Sequence, residues 1–300
     1  MIYTITLNPA IDRTLRCEEF KPHAVNETEM IGHFPAGKGV NVSRILAALE
    51  VPSMALGFVG REERVWFATF LKQEQIDSGF TPVAGHTRTN TTVIDDSGEE
   101  ETHIKERGFT IGPDSIVEFT QDIGGRIGTG DIVCISGALP RGFEVDSLRS
   151  LVIFCTNHGA EVFLDVSGSL LKGLTDTKPR LIKPNYYELA QLTGRKGTDA
   201  MLEAAHEMGF PGILLSKGPD GLVFSAPQIK HTQASPPIEA VNTVGAGDAA
   251  LAGFIAARYE GLDLEGKLAW AAAAGAANAR EQFAGIIDRA WFEKTVKERW

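Results

Sequence analysis

The chain has 300 residues, 43% hydrophobic and 23% charged, which fits one large globular α/β domain and excludes a disordered or fibrous chain. Its formal net charge of −10 argues against nucleic acid as a main partner, because no surplus of Lys and Arg is available to displace counterions. No apolar run is long enough to span a bilayer, so no membrane partner is expected.

The first predicted element is a buried strand over 2–7; it starts without the basic leader of a targeting peptide, so the expected location is cytoplasmic. Residues 12–34 then alternate like strands and lead into the glycine-rich "GHFPAGKGVNVS". A helix is predicted over 40–49, a strand over 53–59 and a helix over 64–75. Residues 88–106 alternate again, around an Asp96-Ser97-Gly98 turn. Short apolar runs at 131–136, 161–166 and 212–216 suit parallel strands covered on both faces. Cys134 and Cys155 read as buried apolar residues, and Cys17, Cys134 and Cys155 lack the paired spacing of a zinc or disulfide framework. Helices are predicted over 145–158, 187–193 and 199–208. "LLSKGPDGLVF" reads as strand, turn, strand. The chain closes with helices over 247–259, 264–280 and 288–299; the small residues of "WAAAAGAANA" suit close helix packing. This alternation predicts a doubly wound, mostly parallel α/β sheet flanked by helices. The two alternating segments, about 12–34 and 88–106, form a small β layer beside it, a lid or an edge extension.

Four segments carry chemistry. In "EAVNTVGAGDAALAGFIAA", Gly245, Ala246 and Gly247 form a bare turn at a helix start, where backbone N–H groups favour an anion. Asp248 is then either an N-cap or a base beside a bound anion. The same residues fit a loose dinucleotide pattern, but the proline-containing lead-in "ASPPIEAVNT" is no central strand. In "AGKGVNVS", Gly37, Lys38 and Asn41 stand at a second helix start. Gly39 occupies the place of the Walker Ser/Thr, which argues against a P-loop. "KPNYYEL" sets Asn185 and Glu188 on one face of a first turn, as a capping box or as oxygen donors around hydrated magnesium. "SGALPRG", from Ser136, and "DVSGSLL" leave strand ends at the sheet edge where α/β folds bind ligands.

The segments "TLNPAID", "AGKGVNVS", "KPNYYEL", "NTVGAGDAALAGF" and "GAANA" together resemble the ribokinase-like carbohydrate kinases of the PfkB family. The likeness runs over nearly the whole length and is closest to its sugar-phosphate branch, which includes 1-phosphofructokinase, tagatose-6-phosphate kinase and the minor 6-phosphofructokinase. It implies a single kinase domain over 1–300 with the β segments as lid, ATP and Mg²⁺ as cofactors, and a homodimer through the lid. It implies that Gly245, Ala246 and Gly247 form an anion hole and that Asp248 is the base. Asp12, Gly37, Lys38, Asn41, Arg88, Asn90, His103 and Ser136 would hold the sugar phosphate, with Arg88 as its clamp. Lys183, Asn185, Ser216, Lys217, Gly218, Gly221 and Asn278 would line the nucleotide side, with Asn278 near the adenine. Asn185 and Glu188 would organise magnesium through water. Fructose 1-phosphate is the first expected substrate; tagatose 6-phosphate and fructose 6-phosphate are alternatives, and a non-catalytic sugar-phosphate sensor is the rival from another class. Three departures stand out. Asn242 precedes Thr243 where the family has Asp or Ser, His103 (with Lys105 two residues on) stands where 6-phosphofructokinases carry arginine, and "REERVW" replaces a Gly/Asp-rich turn.

Overall fold

A computed structural model describes residues 1–98 and 100–298. In chain order the first half comprises β1 (Ile2–Thr6), β2 (Ala10–Cys17), β3 (Glu29–Ala36), α1 (Lys38–Ala48), β4 (Met54–Gly60), α2 (Arg64–Gln73), β5 (Asp77–Val83), β6 (Arg88–Asp95), β7 (Glu100–Lys105) and α3 (Pro113–Gly124). The second half comprises β8 (Ile132–Ser136), α4 (Val145–Asn157), β9 (Glu161–Asp165), α5 (Gly168–Leu171), β10 (Leu181–Ile182), α6 (Tyr186–Thr193), α7 (Thr198–Glu207), β11 (Ile213–Ser216), β12 (Leu222–Ala226), β13 (Ile229–Gln233), α8 (Ala246–Tyr259), α9 (Leu264–Ala279) and α10 (Arg289–Glu298).

Nine strands form the main sheet in the order β13-β12-β11-β10-β9-β8-β1-β4-β5. It is parallel from β5 to β11, and β12 alone is reversed, antiparallel to β11 on one side and to β13 on the other. Every residue of β1 and β8 is buried, because helices cover both faces. On one face Phe119, Leu148, Leu189 and Met201 pack over Ile5, Val133 and Ile135; on the other Ile45, Leu251 and Leu268 pack over Ile2, Ile132 and Phe163. A fully buried side chain of this size contributes about 1.5–3 kcal/mol. Helices α8 and α9 touch almost backbone to backbone: a Cβ on Gly253 would lie 2.5 Å from the Trp270 carbonyl oxygen, which is why this pair is built from alanine and glycine. Cys17, Cys134 and Cys155 are free and buried.

The second sheet has the order β3-β2-β6-β7, with β2 parallel to β6 and the outer pairs antiparallel. The chain leaves the main sheet twice to build it, after β1 and after β5. After β7 it returns to the opposite side of β1, so β1 and β8 meet at a topological switch point. The small sheet overhangs that point.

Most predicted elements are present with ends shifted by one or two residues. Five elements, β5, α3, α5, β10 and β13, have no counterpart among the predicted ones. β5 carries Gly79 and Pro82 and tolerates both because it is an edge strand; β10 is two residues long. The predicted strand pattern over 18–28 is loop, and Glu99 and Arg299, within predicted elements, lie outside the described residues. Among the described residues no helix is long and apolar enough to cross a membrane.

Candidate active site

The floor of the site gathers three strand ends and two helix starts. Gly245 is the N-cap of α8 with φ 84°, a left-handed conformation that favours glycine. A Cβ there would also lie 2.7 Å from the Ala284 Cβ. The turn delivers Asp248 into the first turn of α8, 5% exposed, where its Oδ2 accepts a 2.8 Å hydrogen bond from Asn41 Nδ2. Gly37 caps α1, with φ 130° and no room for a Cβ beside Thr6, so Lys38 and Asn41 project from that helix's first turn.

Beneath both helix starts lies Asp165, at the end of β9 and 0% exposed. Lys38 Nζ stands 3.3 Å from its Oδ1 and Lys183 Nζ 3.5 Å from its Oδ2. Lys183 follows β10, is 4% exposed, and would stand 3.1 Å from a Cβ on Gly247. Two cations therefore face two carboxylates: Asp165, Lys183 and Asp248 are closed to water, and the Lys38 side chain, 42% exposed, stands at the open side of the group. Burial and then the neighbouring Asp165 push Asp248 up to about 7, against the pull of Lys38, the Asn41 hydrogen bond and Lys183. Burial acts in the same direction on Asp165, but Lys183 and Lys38 outweigh it and hold that carboxyl below its ordinary value. Burial disfavours charge on Lys38, and Asp165, Asp248 and Glu188 more than reverse it, so this lysine stays protonated. A carboxylate with a pKa near neutrality beside a helix N-terminus can accept a proton where negative charge accumulates.

The lid supplies the opposite wall. Asp12, Asn90 and Lys105 lie opposite one another on β2, β6 and β7 and share one face, since residues two apart and directly paired residues point the same way. Asn90 Nδ2 donates to Asp12 Oδ1 at 2.9 Å. Burial raises the Asp12 carboxyl against the pull of Asn90, Arg44, Arg88 and Lys105. Arg88 opens β6 and donates from Nε to the Pro9 carbonyl (3.2 Å) and from Nη2 to the Asn8 carbonyl (3.0 Å), which ties it to the lid's root. His103 lies one row further out, with Nδ1 3.1 Å from the Thr92 hydroxyl and Nε2 3.5 Å from Glu101.

Several expected residues are buried or engaged within the protein. Asn278, expected near an adenine, is fully buried. Its Nδ2 donates to the carbonyls of Phe283 and Ile286 at 3.2 and 2.9 Å, so it holds the 283–286 loop against Gly245 and Asn41 instead of facing an open surface. Ser136, expected to touch substrate, is 2% exposed with its hydroxyl 3.3 Å from Cys134 Sγ. Lys183, expected beside a nucleotide, lies under the Gly247 turn. Asn185 and Glu188 form a reciprocal capping box, each side chain accepting from the other's backbone N–H at 2.9 Å. Ser216 bridges to Asn185, and Lys217, Gly218 and Gly221 make the tight β11–β12 turn, where a Cβ on Gly221 would strike the Gln233 carbonyl oxygen at 2.0 Å. Asp165 escaped the sequence reading. Its signal was a carboxylate closing the apolar run "EVFLD", a place where burial demands a charged partner.

A profile of the pfkB family carbohydrate kinases matches residues 2–288. The chain is 34% identical over 284 residues to a 1-phosphofructokinase of Bacillus subtilis, an alignment covering 93% of this chain and 92% of that protein. Phosphofructokinase-2 of Escherichia coli, solved in complex with potassium, superposes with a TM-score of 0.92 at 25% identity over 99% of this chain and 98% of that one. A ribokinase of Thermotoga maritima shares the fold, with a TM-score of 0.79 at 19% identity over 99% of both chains. The chain belongs to the pfkB family and is a carbohydrate kinase.

Proposed function

We propose that the protein transfers the γ-phosphoryl group of ATP to O6 of fructose 1-phosphate, giving fructose 1,6-bisphosphate. The observation that carries this is the buried Asp248 at the N-terminus of α8, raised toward neutrality by burial and Asp165 and flanked by Lys38 and Lys183. The sugar hydroxyl gives its proton to Asp248 as its oxygen bonds to the γ-phosphorus and the bond to the departing ADP breaks. The N–H groups of Gly245, Ala246 and Gly247 take the charge on the transferring group. Lys38, Asn41, Gly37 and Arg88 suit a substrate phosphate, and Asp12 with Asn90 suits sugar hydroxyls. Lys183, Ser216, Lys217, Gly218 and Gly221 lie toward the nucleotide.

The donor set fits magnesium: Asn185 and Glu188 offer hard oxygens at the sheet edge, and the Glu188 charge reaches Lys38. Bound with ATP, the ion would neutralise phosphate charge; Asn185 and Glu188 would hold it through water. We read the whole chain, 1–300, as one cytoplasmic kinase domain. Its lid exposes Met30 and Ile104, at 58% and 54%, which suits a homodimer formed through the lid.

The test is ADP release by the purified protein with Mg-ATP against fructose 1-phosphate, tagatose 6-phosphate, fructose 6-phosphate, fructose and ribose. The reading expects kcat/KM for fructose 1-phosphate at least about tenfold above the rest, a gap of about 1.4 kcal/mol in transition-state binding. Preference for tagatose 6-phosphate would keep the kinase and replace its substrate. Silence across the panel with ATP still bound would leave a sugar-phosphate sensor.

A further inference from the structure

The turn "REERVW" has no part in the chemistry above, yet it reaches the lid. Glu63, at the start of α2, points its carboxylate at the linker between β5 and β6. Its Oε2 accepts from the Thr87 backbone N–H at 3.0 Å and its Oε1 lies 2.8 Å from His86 Nδ1. The Thr87 hydroxyl in turn accepts from the Gly60 N–H at 2.9 Å, and Thr87 is 2% exposed. Gly60 has no room for a side chain: a Cβ would lie 2.1 Å from Glu63 Oε2 and 2.5 Å from the Thr87 nitrogen. Thr87 is thus held by both its backbone and its side chain, one residue before Arg88 and three before Asn90.

On its other side the linker meets Phe109, 3.4 Å from where a Cβ on Gly85 would stand, and just past it the Thr89 N–H donates to Glu106 Oε2 at 2.8 Å. Residues 84–86 are exposed, and with Glu106, Gly108, Phe109, Thr110 and Arg141 they wall an open cleft of about 490 Å³. That cleft separates the two chain crossings that carry β6 and β7 into the lid. A linker bordered by open space takes its position from the bonds on its packed side. Two of those bonds end on Glu63, whose side chain is only 19% exposed. The groups around His86 are all acidic: Glu63, Glu62 at 3.8 Å, and Glu106 across the cleft. They favour its protonated form, which strengthens the contact with Glu63.

We propose that Glu63 is a positioning residue for substrate: the β2–β6 pairing sets the register of Arg88 and Asn90, and through Thr87 and His86 Glu63 sets the angle at which the linker delivers them to the site. The inference rests on the reading that Arg88 and Asn90 bind the sugar phosphate. Glu63 acts on binding and leaves the chemical step alone, because nothing in the clasp touches Asp248 or the α8 start.

The test measures kcat and both KM values for Glu63→Ala, Glu63→Gln and Arg88→Ala, with the sugar phosphate of highest kcat/KM. Glu63→Ala should raise the sugar-phosphate KM about fivefold, the order expected for one lost hydrogen bond acting at a distance from the substrate, with kcat and the ATP KM unchanged. Glu63→Gln should recover most of that loss, because its amide oxygen still accepts from the Thr87 N–H. In an Arg88→Ala background, Glu63→Ala should have a smaller effect than alone. If Arg88→Ala raises KM while Glu63→Ala does not, the clasp positions nothing and the proposal fails although the substrate reading stands. If Arg88→Ala leaves KM unchanged, the substrate reading itself fails. A lower melting temperature and a lower kcat at constant KM would make Glu63 a stability residue only and overturn the proposal.

Discussion

On the floor of the site, Asp165, Lys183 and Asp248 are each at most 5% exposed and share one ion network, while on the lid Asp12 and Asn90 are half-buried, Lys105 and His103 are exposed, and the side chains meet through separate contacts. The two walls therefore use charge differently. Where water is excluded, neighbouring charges move a carboxyl from the carboxylate range to about 7, which turns Asp248 into a base for neutral pH. At the lid, burial still raises the Asp12 carboxyl, but solvent screens the exposed Lys105 and His103, which act by reach and hydrogen-bond geometry. Floor substitutions should change turnover, pH dependence and stability together. Lid substitutions should change substrate affinity alone.

The largest expected effect is on the floor. Asp248→Asn keeps an oxygen to accept from Asn41 but removes the proton acceptor, so kcat should fall about a thousandfold. The ATP KM should hardly move, and unchanged turnover would remove Asp248 as base. In the wild type, Asp248 carries its proton below about 7 and cannot accept another. The value of kcat/KM should therefore rise with pH through an acid limb near 7.

Asp165→Asn comes next and separates the walls most sharply. Lys183 would stay buried with its counter-charge gone, a loss of about 3 kcal/mol of stability by comparison with other broken buried pairs. The same change removes the anion that raises Asp248 and leaves Lys38 and Lys183 to act on it. The acid limb in kcat/KM should then move to lower pH, with a lower melting temperature measured in parallel. A limb that stays in place would show that desolvation alone sets the Asp248 pKa.

The difference between the walls also explains what could be read from the sequence. The Gly245–Asp248 turn and the Gly37–Asn41 turn were legible because helix starts are local: glycine, a cap and an apolar run lie side by side. The Asn185–Glu188 capping box was legible for the same reason. The Lys38–Asp165 contact joins residues 127 apart, brought together by strand order, which no local pattern carries. Asn278 and Ser136 looked like ligand contacts because polar residues beside glycine usually face a site. Their contacts within the protein, the 283–286 loop and Cys134, appear only when the chain is folded. In the lid, alternation gave the strands but not their register, and register decides which of His103 and Lys105 stands opposite Asp12.

That register yields the smallest predicted effect. His103 pairs with Thr92, one row beyond Asn90, and its two ring nitrogens already meet Thr92 and Glu101. Lys105 pairs with Asn90 in the Asp12 row, and its charge acts on Asp12. A phosphate held near Asp12 should therefore draw its lid cation from Lys105. His103→Ala should change the sugar-phosphate KM by less than about twofold, within the range of an exposed pair, while Lys105→Ala should raise it about three- to fivefold. The reverse order would mean that the phosphate sits one row further out on the lid, away from Lys38. Equal, negligible effects from both would assign the phosphate to Lys38 and Arg88 alone and leave β7 as cover.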